Sequence, residues 1–367
     1  MKKIGIYTFW NVPNYGTFLQ AYALQKKIQL LSNNIEVKQI GYLNQKHYAN
    51  YYSIVDFSVK YWCINPHFYK KTLKNVINIR KIYNRRKFLD YYNMIPHIKI
   101  KNEKELINIC LDNIVLGSDI IWDFSIDIFG KDEFLFGNKF KNTKIISYAS
   151  SFGTIKKDNK IPNYVKQGIN NLYKIAVRDK NSKDIVEKVL NKKAEIVLDP
   201  TLIYDFKNDE NIVKPNQNKY IIVYGSFFTD KLIEEARKYA DEHGLKIICL
   251  NSLNDIYDWC DETIDQDELN PFEWAGYFKY AEIIMTCTYH GLLFGLIFNK
   301  KIVFNPTQFI LDKAMSLINE LNLKEVLIDT TSFFNKVEYS WDYNIINMKL
   351  SELKTKSILY LRESLDL

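Results

Sequence analysis

The sequence predicts an α/β protein built from two doubly wound domains of parallel strands. Three observations predict it. The chain has 367 residues, enough for two cores of ordinary size. Short apolar runs alternate with stretches of helical periodicity in two series, one opening at the N-terminus and one at Tyr220. Most of those runs stop in small or polar residues, as strands do where a parallel sheet opens onto its ligand crevice.

Residues 2–9 read as a buried first strand, and 11–16, NVPNYG, as a turn-rich loop. The following FLQAYALQKKIQLL places Leu19, Tyr22, Ala23, Ile28 and Leu30 at helical spacing, and 37–42 reads as a second strand. No GxGxxG follows the first strand, so a dinucleotide fingerprint is not supported. Residues 44–105 are aromatic, basic and largely helical in pattern, and read as an insertion or a set of connecting helices. Strand 114–116 leads into Gly117, Ser118 and Asp119, followed by Ile120, Ile121 and Trp122. Strand 144–148 ends in Ala149, Ser150, Ser151, Phe152 and Gly153, and strand 175–177 ends in Arg178 and Asp179 before a helix over 181–190. Strand 195–198 ends in Asp199, Pro200 and Thr201. If these strands share one sheet, then 117–119, 150–153 and Arg178 face one crevice.

Around 205–218 the chain turns polar and irregular, which marks the expected linker between a first domain of 1–210 and a second of 211–340. In the second series, strand 221–224 ends at Gly225 and Ser226, and helix 231–243 stops at Gly244, a C-terminal glycine. Strand 246–250, helix 271–280 and strand 302–304 follow, and 341–367 reads as an amphipathic helix that crosses back to the first domain.

The stretch that organises the chain is 281–298, AEIIMTCTYHGLLFGLIF. Ile283, Ile284 and Met285 form a strand; Thr286, Cys287 and Thr288 are small; Tyr289 and His290 are polar-tipped; Gly291 breaks the pattern before an apolar helix. A strand running through a tight turn into a helix collects backbone N–H groups and the positive end of the helix dipole at one point. His290 there is either a capping residue or a group that acts on an anion or moves a proton.

Composition narrows the class. The chain is 47% hydrophobic and 25% charged, as in soluble globular proteins. Its five cysteines, Cys63, Cys110, Cys249, Cys260 and Cys287, form no CxxC pair and no zinc spacing, which points to a reduced, cytoplasmic compartment and to no metal site. The IGIYTFW run after Lys3 is a strand and too short for a signal peptide, and no run approaches a membrane span. The net charge of +7 does not call for nucleic acid. Much of it lies in 67–90, where basic residues interleave with Ile77, Ile79, Ile82, Tyr83 and Phe88. That segment is either a solvated helix face or a peripheral contact with anionic lipid headgroups at the inner face of the membrane.

Six stretches together resemble the polysaccharide pyruvyl transferase family: KIGIYTFWNVPNYGTFLQAYALQ (3–25), NIVLGSDIIW (113–122), ISYASSFG (146–153), AVRDKNSKDIV (176–186), VLDPTLIYD (197–205) and AEIIMTCTYHGLLFGLIFNKKIVF (281–304). The resemblance implies a GT-B-like fold, two Rossmann-like domains facing a cleft that holds the active site. It also implies transfer of the enolpyruvyl carbons of phosphoenolpyruvate, a co-substrate, onto two hydroxyls of a sugar, with release of phosphate. The expected acceptor belongs to a cell-surface polysaccharide or its lipid-diphosphate-linked precursor.

A donor carrying a carboxylate and a phosphate needs cationic groups and aligned N–H donors. Arg178 is the expected clamp, with Gly291, Tyr289 and Thr288 beside it; His290 contacts the phosphate or serves as general acid; Asp119 is the candidate general base for the acceptor hydroxyl. Asn14, Tyr15 and Gly16, with Ser118, Ser151 and Trp122, are expected to shape the acceptor side. Each has a plainer alternative: Asp119 as a turn cap, Arg178 as a structural ion pair, Asp199 as a turn anchor, Trp122 as a core residue. Thr288 stands where some family members carry arginine, which removes a bidentate anion clamp. The runner-up is therefore a glycosyltransferase using a nucleotide sugar. A third reading is a non-catalytic sugar-binding protein that uses the aromatic stretch 44–69, with Tyr48, Tyr51, Tyr52, Tyr61 and Trp62.

Overall fold

The computed structural model describes residues 1–42, 45–53, 76, 79–129, 131–251 and 257–367. The chain divides into two units, Met1–Glu195 with Leu361–Leu367, and Ile196–Tyr360.

The first unit holds a fully parallel five-stranded sheet of β1 (Lys2–Tyr7), β2 (Ile35–Tyr42), β3 (His97–Ile100), β4 (Asn113–Leu116) and β5 (Lys144–Ser147), in the order β3-β2-β1-β4-β5. Two short strands follow, β6 (Ala176–Val177) and β7 (Glu195–Ile196). The second unit repeats the plan with β8 (Tyr220–Tyr224), β9 (Lys246–Asn251), β10 (Glu262–Asp265), β11 (Ile283–Thr286) and β12 (Lys301–Phe304), in the order β10-β9-β8-β11-β12 and again parallel throughout. Chain direction across each sheet therefore reverses once, between β1 and β4 and between β8 and β11, and the carboxyl ends beside such a reversal are where open α/β sheets bind ligands. The sequence dictates burial of both faces. Strands such as NIVL in β4, apolar after Asn113, and IIMT in β11 are buried at every position, so helices must cover both sides.

Two expectations change and one strand lies beyond them. Segment 44–105 does not consist only of helices, because His97–Ile100 is the edge strand beside β2. Its four residues, HIKI, are half-buried with Lys99 outward, a pattern too short and too polar to announce a strand. Glu262–Asp265, ETID, is a second edge strand hidden by its polarity. The unit boundary falls at Glu195 and Ile196 rather than near 210. The polar stretch after 205 stays with the second unit because apolar residues within it are anchored there: Phe206 is buried against Phe294, ring centroids 5.4 Å apart, and Ile212 is buried too.

The last helix, Tyr343–Leu365, belongs to the second unit as far as Tyr360, and its end, Leu361–Leu367, to the first. There Leu361 and Leu365 are buried, Lys144 pairs with Asp366 at 2.8 Å and Lys174 with Glu363 at 3.0 Å. Within the basic segment, the helix Ile79–Asn93 buries Ile82, Phe88 and Tyr92. Residues 67–75 and 77–78 of that segment, and Tyr61 and Trp62 of the aromatic stretch, lie outside the described residues. Among the described residues, no helix is long and apolar enough to cross a membrane, and no group of His, Cys, Asp and Glu has the grouping to hold a metal ion.

One buried charge in the second unit has a measurable consequence. Lys336 is 2% exposed, and its ammonium donates to the backbone carbonyls of Phe304, Val326 and Leu327 at 3.3, 3.2 and 2.7 Å. Burial pushes its pKa down to about 8. An unfolded lysine keeps its proton until about pH 10.4. Between those values the unfolded chain binds the extra proton, so stability rises with pH across that window. Wild type is expected to gain up to about 3 kcal/mol over Lys336→Met between pH 7 and 10. Urea unfolding of both at several pH values measures it, and a difference that is flat with pH removes the ammonium from the account.

Candidate functional site

In the first unit the carboxyl ends of the strands carry one connected network. Gly117 has φ +125°, and a Cβ there would run into the Tyr148 carbonyl, so the turn after β4 requires glycine. Asp119 follows with φ +81°, a left-handed conformation that a non-glycine residue adopts only when its surroundings hold it there. Those surroundings are visible. The backbone of Asp119 bridges Ser150, and Ser150 bridges Val177. The Ser151 N–H donates to the Asp119 carbonyl at 2.9 Å, and the Arg178 N–H to the Ser150 carbonyl at 3.3 Å. The sheet is thereby extended past β4, β5 and β6 and sets Asp119, Ser150 and Arg178 side by side.

Their side chains converge. The Asp119 carboxylate accepts from the Ile120 N–H at 2.9 Å and from the Thr17 hydroxyl at 3.2 Å, and lies 3.5 Å from Nη2 of Arg178. The guanidinium side chain is 2% exposed and the carboxylate side chain 12%, so this is a buried pair that opens slightly on the aspartate side. Ser118 is buried and bonded through its hydroxyl to Gln20, whose amide reaches Thr8 at 3.4 Å. Thr8 in turn donates to the Ser118 carbonyl at 3.0 Å.

The plainer alternatives hold for several residues. Arg178 has a carboxylate partner, and it is Asp119. Neighbouring Asp179 instead caps the helix Lys180–Asp184, accepting from the Ser182 N–H at 2.7 Å and from the Ser151 hydroxyl at 2.6 Å. Ser151 is thus a buried fastener and not an acceptor contact. Trp122 is fully buried, its indole N–H on the Leu135 carbonyl at 2.9 Å and its ring 5.2 Å from Phe152, so it offers no face to a sugar. Asp199 caps the helix Pro200–Ile203 through the Thr201 N–H at 3.0 Å. Asn14 is exposed and caps the helix Tyr15–Gln29 through the Thr17 N–H at 3.0 Å, Gly16 is buried in that helix, and Tyr15 is buried with its ring 5.0 Å from Phe88. Asn14 therefore works by setting the helix that delivers Thr17 to Asp119.

In the second unit, β11 runs through Cys287 and Thr288 into the helix Tyr289–Ile297. Thr288 is its N-cap, accepting from the Gly291 N–H at 3.0 Å, and its own N–H goes to the Thr286 hydroxyl at 3.1 Å. The Thr286 hydroxyl donates onward to the Tyr224 carbonyl at 2.8 Å. The Thr288 hydroxyl thus fastens the start of this helix. His290 stands in the first turn of this nine-residue helix, half-buried, over buried Tyr289, at the positive end of the helix dipole. A Cβ at Gly291 would be driven into the Thr286 hydroxyl and lie 2.8 Å from that of Thr288. Gly291→Ala is expected to cost about 2 kcal/mol, from crowding together with loss of the cap. A thermal melt that leaves the midpoint unchanged would show that the turn relaxes freely.

The structure pairs Asp119 with Arg178 in the first unit and sets His290 in the first turn of the helix Tyr289–Ile297 in the second; sequence reasoning did not single out Thr17, Gln20, Asp179 or Thr286 as their supporting polar residues. Their signal was local: polar residues beside each candidate, within the same motifs.

The comparisons with known proteins bear on this geometry. The family model for polysaccharide pyruvyl transferase matches residues 14–304, a span that includes Asp119, Arg178 and His290. The chain belongs to the polysaccharide pyruvyl transferase family. Membership makes it a transferase of polysaccharide biosynthesis. A search of curated proteins returns no match. Among solved structures, the chain is similar to the S. aureus MnaA–UDP co-structure, with 13% identity and a TM-score of 0.52 over 100% of this chain and 98% of that one. It is also similar to UDP-GlcNAc 2-epimerase from Neisseria meningitidis bound to UDP-GlcNAc, with 9% identity and a TM-score of 0.53 over 100% and 99%. At such identities the likeness establishes the fold alone, an α/β, GT-B-like fold with parallel sheets.

Proposed function

We propose that this member of the family forms a pyruvate ketal on a sugar of a cell-surface polysaccharide or its lipid-linked precursor, with phosphoenolpyruvate as donor. The observation that carries the reading is the Asp119–Arg178 pair, held in a left-handed turn at the strand reversal of the first sheet. It presents a carboxylate to a hydroxyl beside a guanidinium suited to an anion. His290, at a helix N-terminus in the family's strand–turn–helix motif, supplies a proton. Asp119 takes the proton of the first acceptor hydroxyl as its oxygen bonds to C2 of the enolpyruvyl group, and the methylene carbon gains a proton to become the methyl. The C2–O bond to phosphate then breaks, the second hydroxyl adds to C2, and its proton leaves with the phosphate.

One residue favours a second reading. Thr288 in place of arginine leaves the helix Tyr289–Ile297 without a cation at its cap, and the similar solved structures named above hold UDP or UDP-GlcNAc. A glycosyltransferase using a nucleotide sugar fits those two facts. Parallel incubations separate the readings: the proposal expects acceptor-dependent phosphate release from phosphoenolpyruvate. Acceptor-dependent release of a nucleoside diphosphate from a nucleotide sugar reverses it.

The lipid-linked form of the acceptor is supported by the helix Ile79–Asn93, where Ile79, Tyr83 and Arg86 are exposed along one stripe. Flotation with vesicles containing anionic lipid tests it. Equal flotation of wild type and the Ile79→Glu, Tyr83→Glu double variant removes that support.

A further inference from the structure

The loop after β8, residues 225–228 with the sequence GSFF, leaves the sheet beside the reversal between β8 and β11. Its neighbours pin it. A Cβ on Gly225, whose φ is +118°, would run into the Cys287 sulfur, and the Ser226 N–H donates to that sulfur at 3.2 Å. The Phe227 carbonyl accepts from the side-chain amide of Asn305, just past β12, at 2.8 Å. Phe228 turns inward to the core of the second unit, its ring 6.3 Å from that of Trp259, and Thr229 caps the helix Asp230–His243. Phe227 is left outside, 77% exposed, more than any other large apolar side chain among the described residues. Its φ is +74°.

Both features oppose phenylalanine on grounds of folding. A left-handed backbone crowds the Cβ of a bulky residue, and glycine or asparagine adopts it more readily. A ring left in water buries no apolar area and so contributes nothing to the core. Strain that the surroundings hold in place, at the ligand end of a parallel sheet, points to function. We propose that Phe227 is the stacking platform for a pyranose ring of the acceptor. The C–H bonds on one face of a pyranose are weakly positive and pack on the negative face of an aromatic ring. Because the backbone that carries the ring is fixed beforehand, little freedom is lost when the sugar arrives. Ser226 touches Cys287, three residues before His290 in the strand–turn–helix motif, so the platform stands at the same sheet edge as the candidate acid. The platform rests on the proposed sugar acceptor but not on the identity of the donor.

The test is equilibrium binding by the full chain, without donor, to a panel of methyl α- and β-glycosides and to uridine, read by saturation-transfer NMR. At least one glycoside is expected to bind. Phe227→Asn removes the ring and substitutes a residue at ease in the left-handed region. It is expected to weaken that binding at least about tenfold and to raise the thermal midpoint by about 2 °C, whereas a ring needed by the fold would lower it. Phe227→Tyr keeps the ring and is expected to keep the affinity within about twofold. Binding of no glycoside, equal glycoside binding by wild type and Phe227→Asn, a midpoint that falls in Phe227→Asn, or loss of uridine binding alone overturns the proposal. Phosphate release from phosphoenolpyruvate, followed in parallel, separates the two readings. Glycoside binding lost in Phe227→Asn, without any release by wild type, retires the donor and keeps the platform. Acceptor-dependent release that is the same in wild type and Phe227→Asn keeps the donor and retires the platform.

Discussion

His290→Ala is expected to lower acceptor-dependent phosphate release from phosphoenolpyruvate by about a hundred- to ten-thousand-fold, the range supplied by a positioned acid or base. The expectation follows from position. The imidazole lies in the first turn of a helix whose start is fixed by Thr286, Thr288 and Gly291, so it is carried on a rigid element. Steady-state kinetics divides its two candidate roles. A fall in kcat with an unchanged KM for phosphoenolpyruvate identifies proton transfer, whereas a rise in that KM identifies a phosphate contact. A variant with wild-type turnover removes His290 from the chemistry.

Arg178→Met is expected to damage both stability and activity. It takes the guanidinium away from the Asp119 carboxylate in its buried turn. We expect a cost of about 3 kcal/mol, the lower end for breaking a buried ion pair, because 3.5 Å is a long contact. Adding Asp119→Asn to the same chain removes the carboxylate charge that faced the guanidinium and is expected to restore most of that stability while turnover stays absent. Arg178→Lys keeps the charge but loses the planar fork, so it is expected to fold normally with a raised KM for the donor. Chemical denaturation and kinetics on the four proteins give both readouts. If the double variant is as unstable as Arg178→Met, the pair is not what stabilises the turn.

What the sequence made legible were features written in local pattern. Buried parallel strands such as β4, β8 and β11 announce themselves as apolar runs, and the helix Asp230–His243 announces its end through Gly244 in a left-handed conformation. The motif neighbours of each candidate residue were legible for the same reason. Strands β3 and β10 were not, because HIKI and ETID interleave polar residues over only four positions and show no apolar run. The unit boundary was misplaced because polarity marks exposure of a stretch and not which core its few apolar residues enter, as Phe206 demonstrates. At the candidate site, residue types pointed to Asp119, Arg178 and His290, but not to the pairing of the first two. That pairing depends on Asp119 bridging Ser150 and on Ser150 bridging Val177, long-range contacts that no local pattern encodes. Trp122 illustrates the converse: an indole beside a motif reads as a stacking platform until its burial is known.

The central claim is that the carbons of phosphoenolpyruvate end on the sugar. Incubating the protein with phosphoenolpyruvate labelled with ¹³C at C2, and with the glycoside panel, tests it most directly by NMR of the products. The account predicts a labelled quaternary carbon bonded to two sugar oxygens and to a new methyl group, formed by wild type and not by His290→Ala. Label that stays in phosphoenolpyruvate, while the same acceptors gain a sugar from a nucleotide sugar, would contradict it.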